Sequence, residues 1–271
     1  MERRPPTTLD SMRRASFPTL GLLVVLAMGV GAASAENVRS SDRQPAREPQ
    51  PKPFAVGERL TYSAKVNFLH VGTGTMTVVG IDTVRGHTTY HTSFDVHGRM
   101  LFYSVNDHYE SWFDTTTMAS LRYKQSIDEG SYEKERDFEM YPERQTFSEN
   151  GKPEEPGVSL PLDDGSFIYF VRTLSLDLGQ SYEFNRYFRP DRNPVKLTVL
   201  RKERIQVPAG QFNAIVVRPG IKSKGIFSDN SNAELWFSDD SLHLMLKMKS
   251  GLPFGTLQLE LRDINRGGAK E

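Results

Sequence analysis

The chain has 271 residues, of which 37% are hydrophobic and 25% charged, a composition typical of a globular protein with a substantial core. Basic and acidic side chains balance at 34 each, so there is no basic surplus to favour nucleic-acid binding. The chain contains no cysteine, which excludes disulfides, thiolate metal sites and thiol catalysis.

The first 35 residues predict a secretory signal peptide. Arg13 and Arg14 precede the apolar run 20–33, and Ala33-Ser34-Ala35 supplies small residues where a signal peptidase needs them. The run is shorter than the ~20 apolar residues of a membrane-spanning helix, so we expect cleavage after Ala35 and no transmembrane segment thereafter. The alternative is an uncleaved anchor. Translation starts at Met1 or at Met12, and the sequence does not distinguish the two.

Removal of residues 1–35 leaves 30 basic and 32 acidic side chains, and therefore a net charge of about −2. Residues 36–53 are rich in proline and poor in apolar side chains, which predicts a flexible linker. We expect one β-barrel-like domain over 54–265 and a flexible tail over 266–271.

Alternating apolar residues begin near position 60. Leu60, Tyr62, Ala64, Val66 and Phe68 have the two-residue period of a strand with one buried face. A second strand contains Gly72 and Gly74, which we interpret as close-packing or bulge positions. Further strands are predicted near 88–97, 104–113, 119–128, 131–141, 144–148, 181–188, 195–207, 211–218, 232–238, 242–249 and 255–263. About a dozen short antiparallel strands favour an all-β fold, a large meandering sheet curled into a barrel or half-barrel.

One helix interrupts the strands, at about 164–175. Its apolar residues have helical spacing and share one face: Phe167, Ile168, Phe170, Val171 and Leu174. Asp163, Asp164 and Ser166 stand at its start, where such side chains cap free backbone N–H groups and complement the helix dipole. We expect this helix to lie in the concavity of the sheet, either plugging it or leaving an apolar pocket.

No motif identifies a catalytic or metal site. His87, His91, His97 and His108 are close in sequence, but four residues along a strand span about 13 Å, too far for one ion. The G-x-S-x-G motif of serine hydrolases is absent. We therefore assign no catalytic residue, no metal ligand and no cofactor.

Aromatic and methionine side chains point instead to apolar binding. The candidate ligand-binding residues are the helix face (Phe167, Ile168, Phe170, Val171, Leu174) together with Met100, Phe102 and Trp236. Met100 and Phe102 belong to the stretch Gly98–Ser104, which we interpret as a lip at the mouth of the barrel.

These stretches, in this order, resemble a bacterial family. The chain is similar to domain-of-unknown-function family 3108, exported proteins of Gram-negative bacteria. The stretches that carry the resemblance are Phe54 to Tyr62, Asp163 to Arg172, Val207 to Ala214 and Glu234 to Asp240. The chain has Asp163-Asp164-Gly165 where the family usually has Asp-Pro. The resemblance implies a periplasmic location and no established activity. It also implies a fold similar to the open barrels of Lol-type lipoprotein carriers, which hold acyl chains in a concave face.

Three hypotheses follow. The first is a non-enzymatic binder of a lipid or lipoprotein acyl chain. The second is an envelope scaffold with a filled core, no ligand and a protein partner, which predicts an exposed apolar patch. The third is a hydrolase whose residues meet only in the folded chain, which requires a polar cleft that holds a histidine with a carboxylate and a nucleophile or metal.

Overall fold

A computed structural model describes residues 52–100, 103–222, 227, 232–252 and 255–268, with only the backbone of Met100. The predicted signal peptide, most of the linker and Phe102 lie outside the described residues. So does the end of the predicted tail.

The described chain is dominated by strands. They are β1 (Glu58–Val66), β2 (Leu69–Val84), β3 (His87–Met100), β4 (Tyr103–Asp114), β5 (Ser120–Glu129), β6 (Tyr132–Tyr141), β7 (Thr146–Glu149), β8 (Glu155–Pro156), β9 (Ser181–Phe184), β10 (Val195–Val207), β11 (Gly210–Gly220), β12 (Glu234–Ser238), β13 (Met245–Leu252) and β14 (Gly255–Arg266). The α-helix α1 (Asp164–Arg172) lies between β8 and β9, and a short 3₁₀ turn spans Pro190–Arg192.

All fourteen strands form one antiparallel sheet in the order β8-β7-β6-β5-β4-β3-β2-β1-β14-β13-β12-β11-β10-β9. Strand β1 is central and pairs with both β2 and β14, so the first and last strands meet. Two meanders extend from this centre, and α1 belongs to the connection between their outer ends. The predicted all-β meandering architecture is confirmed.

The sheet curls but does not close through strand pairing. Instead, the segment that follows β8 and the segment that follows β9 contact each other through one parallel bridge, between Leu162 and Tyr187. Leu162 N donates to the Arg186 carbonyl at 2.5 Å, and Phe188 N donates to the Leu162 carbonyl at 3.1 Å. The molecule is therefore an open barrel whose concave side is partly covered by α1.

Strand β1 has the predicted alternation up to Val66. Leu60, Tyr62, Ala64 and Val66 are buried, but Phe68 is 86% exposed and does not belong to the buried face. The prediction for Phe68 was wrong because β1 ends at Val66, and Asn67, with φ of 56°, turns the chain. Gly72 does mark a close approach, since a Cβ there would lie 2.1 Å from the His97 carbonyl oxygen.

Helix α1 begins where the sequence predicts. Asp163 is its N-cap: Oδ1 accepts from Gly165 N at 2.7 Å and from Ser166 N at 2.8 Å. The Ser166 hydroxyl in turn accepts from Asp163 N at 3.0 Å, completing a capping box. The helix ends at Arg172, so Leu174 lies beyond it rather than on its apolar face.

The other end of α1 is fixed by a buried ion pair. Arg172 is fully buried and donates to both Glu58 oxygens, at 2.6 and 2.9 Å. It also donates to the carbonyls of Pro53 and Leu242, at 2.6 and 3.1 Å. These bonds join the helix to the start of β1 and to the loop before β13, so α1 is held at both ends.

Candidate ligand-binding cavity

An apolar cavity of about 170 Å³ lies between the concave side of the sheet and the first turns of α1. Its wall comes from β1 to β5, β13, β14 and α1. The main apolar residues there are Ala64, Val66, Met76, Met245, Met248 and Leu259. An apolar protein cavity of about 150 Å³ stays dry and admits benzene, so this one accommodates at least part of an alkyl chain.

The cavity has a polar wall on β4 and β5. Asp107, only 2% exposed, lines it and accepts from the Tyr109 hydroxyl and from Asp128 N, each at 3.0 Å. Asp107 is also hydrogen-bonded to the side chain of Glu129, which is 1% exposed. Burial raises the pKa of Asp107, against the lowering effect of these hydrogen bonds. A hydrogen bond between two carboxyl groups requires a proton on one of them.

A second carboxyl reaches the cavity from α1. Asp164 Oδ1 accepts from the Tyr187 hydroxyl at 3.0 Å, and Tyr187 accepts from Arg192 Nη1 at 3.0 Å. Burial raises the pKa of Asp164, while the Arg192 charge and the Tyr187 hydrogen bond oppose the rise. Asp164 lines the cavity, whereas Arg192 and Tyr187 lie behind it.

The N-cap carboxyl is enclosed by serines. Asp163 Oδ2 accepts from the Ser111 hydroxyl at 2.6 Å, and the Ser120 hydroxyl accepts from Asp163 N at 3.1 Å. Burial raises the pKa of Asp163 to about 6, although the hydrogen bonds to its carboxylate oppose the rise. This network joins β4 and β5 to the start of α1 and fixes the helix at the edge of the cavity.

Apolar residues are also exposed beside the cavity. Val66 and Val71, which line it, flank the β1–β2 turn, where Phe68 and Leu69 are 86% and 54% exposed. The turn therefore carries an exposed apolar pair next to the cavity wall.

The structure separates the predicted binding residues. Ile168 lines the cavity. Phe167 packs near Phe227, Val171 is fully buried, and the Phe170 ring meets Phe184 edge-on, with centroids 5.1 Å apart. These three, and the half-buried Leu174, are not among the lining residues.

The remaining candidates lie elsewhere or outside the description. Trp236 does not line the cavity; its Nε1 donates to Glu203 at 2.6 Å, and its ring contacts Arg201 and Lys247. Of Met100 only the backbone is described, at the end of β3, and Phe102 lies outside the described residues.

Sequence reasoning missed Asp107. The sequence could have indicated it, because Val105, Asp107 and Tyr109 alternate along β4 and therefore place a carboxyl group on a buried face.

The histidines that have carboxylate partners lie along neighbouring strands, not in the buried serine network. His91 contacts Glu110 at 2.9 Å and Asp82 at 3.3 Å, and His108 contacts Asp95 at 2.6 Å. The Ser111–Asp163 network contains no histidine within the described residues. No group of three or more histidines and acidic residues in this part of the chain is arranged to hold a metal ion.

Fold and cavity together define a class: over the residues that the structure describes, an open β-barrel-like protein built from one sheet, with one α-helix on the concave side. No helix among the described residues is long and apolar enough to cross a membrane. The chain belongs to the family described as a protein of unknown function, DUF3108, whose profile matches residues 61–262. No curated protein is significantly similar to it in sequence.

The chain is similar to solved structures at low sequence identity. A β-barrel-like protein of domain of unknown function DUF1849 from Brucella abortus is 10% identical, with 79% of this chain and 99% of that chain covered and a TM-score of 0.53. A candidate lipoprotein from Parabacteroides distasonis is 8% identical, with coverages of 79% and 98% and a TM-score of 0.36. The first likeness concerns the fold alone, and the second is too distant to support an argument.

Proposed function

We propose that this protein is a non-enzymatic binder of an apolar or amphipathic ligand, a lipid or an acyl chain. The observation that carries the proposal is the apolar cavity between the sheet and α1. Small-molecule sites in proteins are concave and mostly apolar, with a few polar groups that orient the ligand. Three methionines in its wall, Met76, Met245 and Met248, suit a flexible chain because their thioether side chains adapt to irregular shapes.

In this proposal α1 is a wall of the site rather than a complete plug. Ile168 and Tyr169 contact the cavity, while Phe167, Phe170 and Val171 hold the helix in the core. Substitutions at those three core positions therefore affect folding before binding. Ile168 is the residue of the predicted helix face that we assign to ligand contact.

We further propose that the mature protein works in the periplasm, as one domain over 54–265 that follows a flexible linker. The support is the signal-peptide pattern of residues 1–35, which places a basic pair, an apolar run and a small-residue cleavage site in order.

One observation favours the second hypothesis, an envelope scaffold with a protein partner. Phe68 and Leu69 are exposed side by side at the β1–β2 turn, and exposed apolar patches mark interaction sites. A scaffold with a filled core, however, leaves the apolar cavity unexplained, so we rank ligand binding first.

The test is native mass spectrometry of the mature protein purified from a Gram-negative periplasm, followed by organic extraction of bound molecules. We expect a co-purifying amphiphile in the wild type and its loss in Ala64→Phe, which fills the cavity from β1. Thr61→Phe, which places the same aromatic side chain at the opposite side of the same strand, is the control and retains the ligand. A clean unliganded mass, with no uptake of an added fluorescent fatty alcohol, contradicts the proposal.

A further inference from the structure

We infer that the ligand's head group donates hydrogen bonds, as an alcohol or an amine does, and that anionic head groups are disfavoured. This inference rests on the proposed function and names the chemical class of its ligand. It comes from the chemistry of the polar wall, which faces the otherwise apolar cavity.

The cavity is lined by three carboxyl side chains, Asp107 and Glu110 on β4 and Asp164 on α1, and by one histidine, His97. Glu110 contacts His91, and His97 is hydrogen-bonded to Asn106. Glu129 lies behind Asp107 and is hydrogen-bonded to it. Among the described lining residues there is no lysine and no arginine.

Two guanidinium groups lie behind the wall, where Arg192 donates to Tyr187 and Arg136 lies 3.7 Å from Glu149. Their charges act on Asp164 and oppose the rise of its pKa.

Three hydroxyl groups of the wall are already hydrogen-bonded. Tyr109 donates to Asp107 at 3.0 Å, and the Ser111 hydroxyl donates to Asp163 at 2.6 Å. Tyr123 is hydrogen-bonded to Asp164 and accepts from Gln125 at 3.1 Å. Beside these three hydroxyls, a ligand therefore meets carboxyl oxygens with remaining acceptor capacity.

An anionic head group is disfavoured at this wall. Placing a carboxylate or phosphate beside Asp164 and the Asp107–Glu129 pair buries acidic groups together, and among the described residues no lysine or arginine lines the cavity to pair with the added charge. An ammonium or hydroxyl in the same place donates to carboxyl oxygens, a strong class of hydrogen bond. The wall thus selects by head group while the apolar surface accepts the chain.

The experiment compares three amphiphiles of equal chain length, dodecanol, dodecylamine and dodecanoate, as competitors of Nile red bound to the wild-type protein at neutral pH. We expect dodecanol and dodecylamine to displace the dye at concentrations about tenfold lower than dodecanoate. Because dodecanol is neutral, its advantage does not come from attraction to the acidic surface. Equal or tighter binding of dodecanoate overturns the inference and leaves the proposed function standing. If none of the three binds, both fail.

Asp107→Asn and Asp164→Asn locate the effect. Each is expected to reduce the preference for dodecylamine over dodecanoate by about tenfold, because each replaces a carboxyl group of the wall with a neutral amide. Asp95→Asn is the matched control; its carboxylate pairs with His108 outside the cavity wall, and the preference stays at the wild-type value. An unchanged preference in a folded Asp107 or Asp164 variant overturns the inference, and the wild-type series decides it if neither variant folds.

Discussion

At the residue scale, Asp163 is both the N-cap of α1 and a buried ionisable side chain. Its carboxylate caps α1 and accepts from Ser111, so the hydrogen bonds favour the charged form. Burial has the larger effect and raises the pKa from 3.8 to about 6. The folded chain therefore holds this proton more tightly than the unfolded chain does.

This difference predicts a pH dependence of stability. The contribution of Asp163 to the free energy of unfolding is greatest below the unfolded pKa of 3.8 and is lost as pH rises through about 6. The loss across that window is on the order of 3 kcal/mol. Asp163→Asn keeps an oxygen for the cap and removes the titration. Urea unfolding at several pH values should show a flatter profile for the variant, and identical profiles would contradict this account.

At the element scale, α1 depends on contacts that are distant in sequence. Its N-terminal cap is local and was predicted, because Asp163 and Ser166 are three residues apart in a recognisable pattern. Its C-terminal anchor joins Arg172 to Glu58 across 114 positions, and nothing in the sequence pairs them. The predicted helix, at about 164–175, was too long. Helical spacing included Leu174, whereas the backbone leaves the helix after Arg172.

Strand patterns have the same limit. Alternation identified the buried face of β1, because a two-residue period is a local property. The prediction wrongly extended the buried face to Phe68, because the alternation of apolar residues in the sequence continues across the turn at Asn67. The cavity was beyond sequence reasoning, since its wall combines residues from β1, β4, β13 and α1 that only the curled sheet brings together.

The anchor of α1 makes a prediction at this scale. Arg172→Met leaves the Glu58 carboxylate buried and unpaired, and we expect a loss of ~3–5 kcal/mol in the free energy of unfolding. Arg172→Met combined with Glu58→Gln should recover part of that loss, because no charge is then left unpaired. Arg201→Met breaks a half-exposed ion pair with Glu234 and should cost no more than about 1 kcal/mol. Similar losses for Arg172→Met and Arg201→Met, by chemical denaturation, would refute the anchor.

At the scale of the whole molecule, one sheet provides both a core and a cavity. The meanders on either side of β1 curl until Leu162 meets Tyr187, and α1 covers part of the concave side. Side chains fill the space around Phe167, Phe170 and Val171, but not the space facing Met76 and Met248. An open barrel with so many strands encloses more volume than its own side chains occupy.

The most direct measurement of the central claim is nuclear magnetic resonance of the methionine methyl groups during titration with dodecanol. Met76, Met245 and Met248 line the cavity, whereas Met118 and Met140 are buried elsewhere and serve as internal controls. Saturable shifts confined to the three lining methyls, absent in Ala64→Phe, are the predicted result. No shifts, or equal shifts at Met118 and Met140, would contradict the assignment of this cavity as a ligand site.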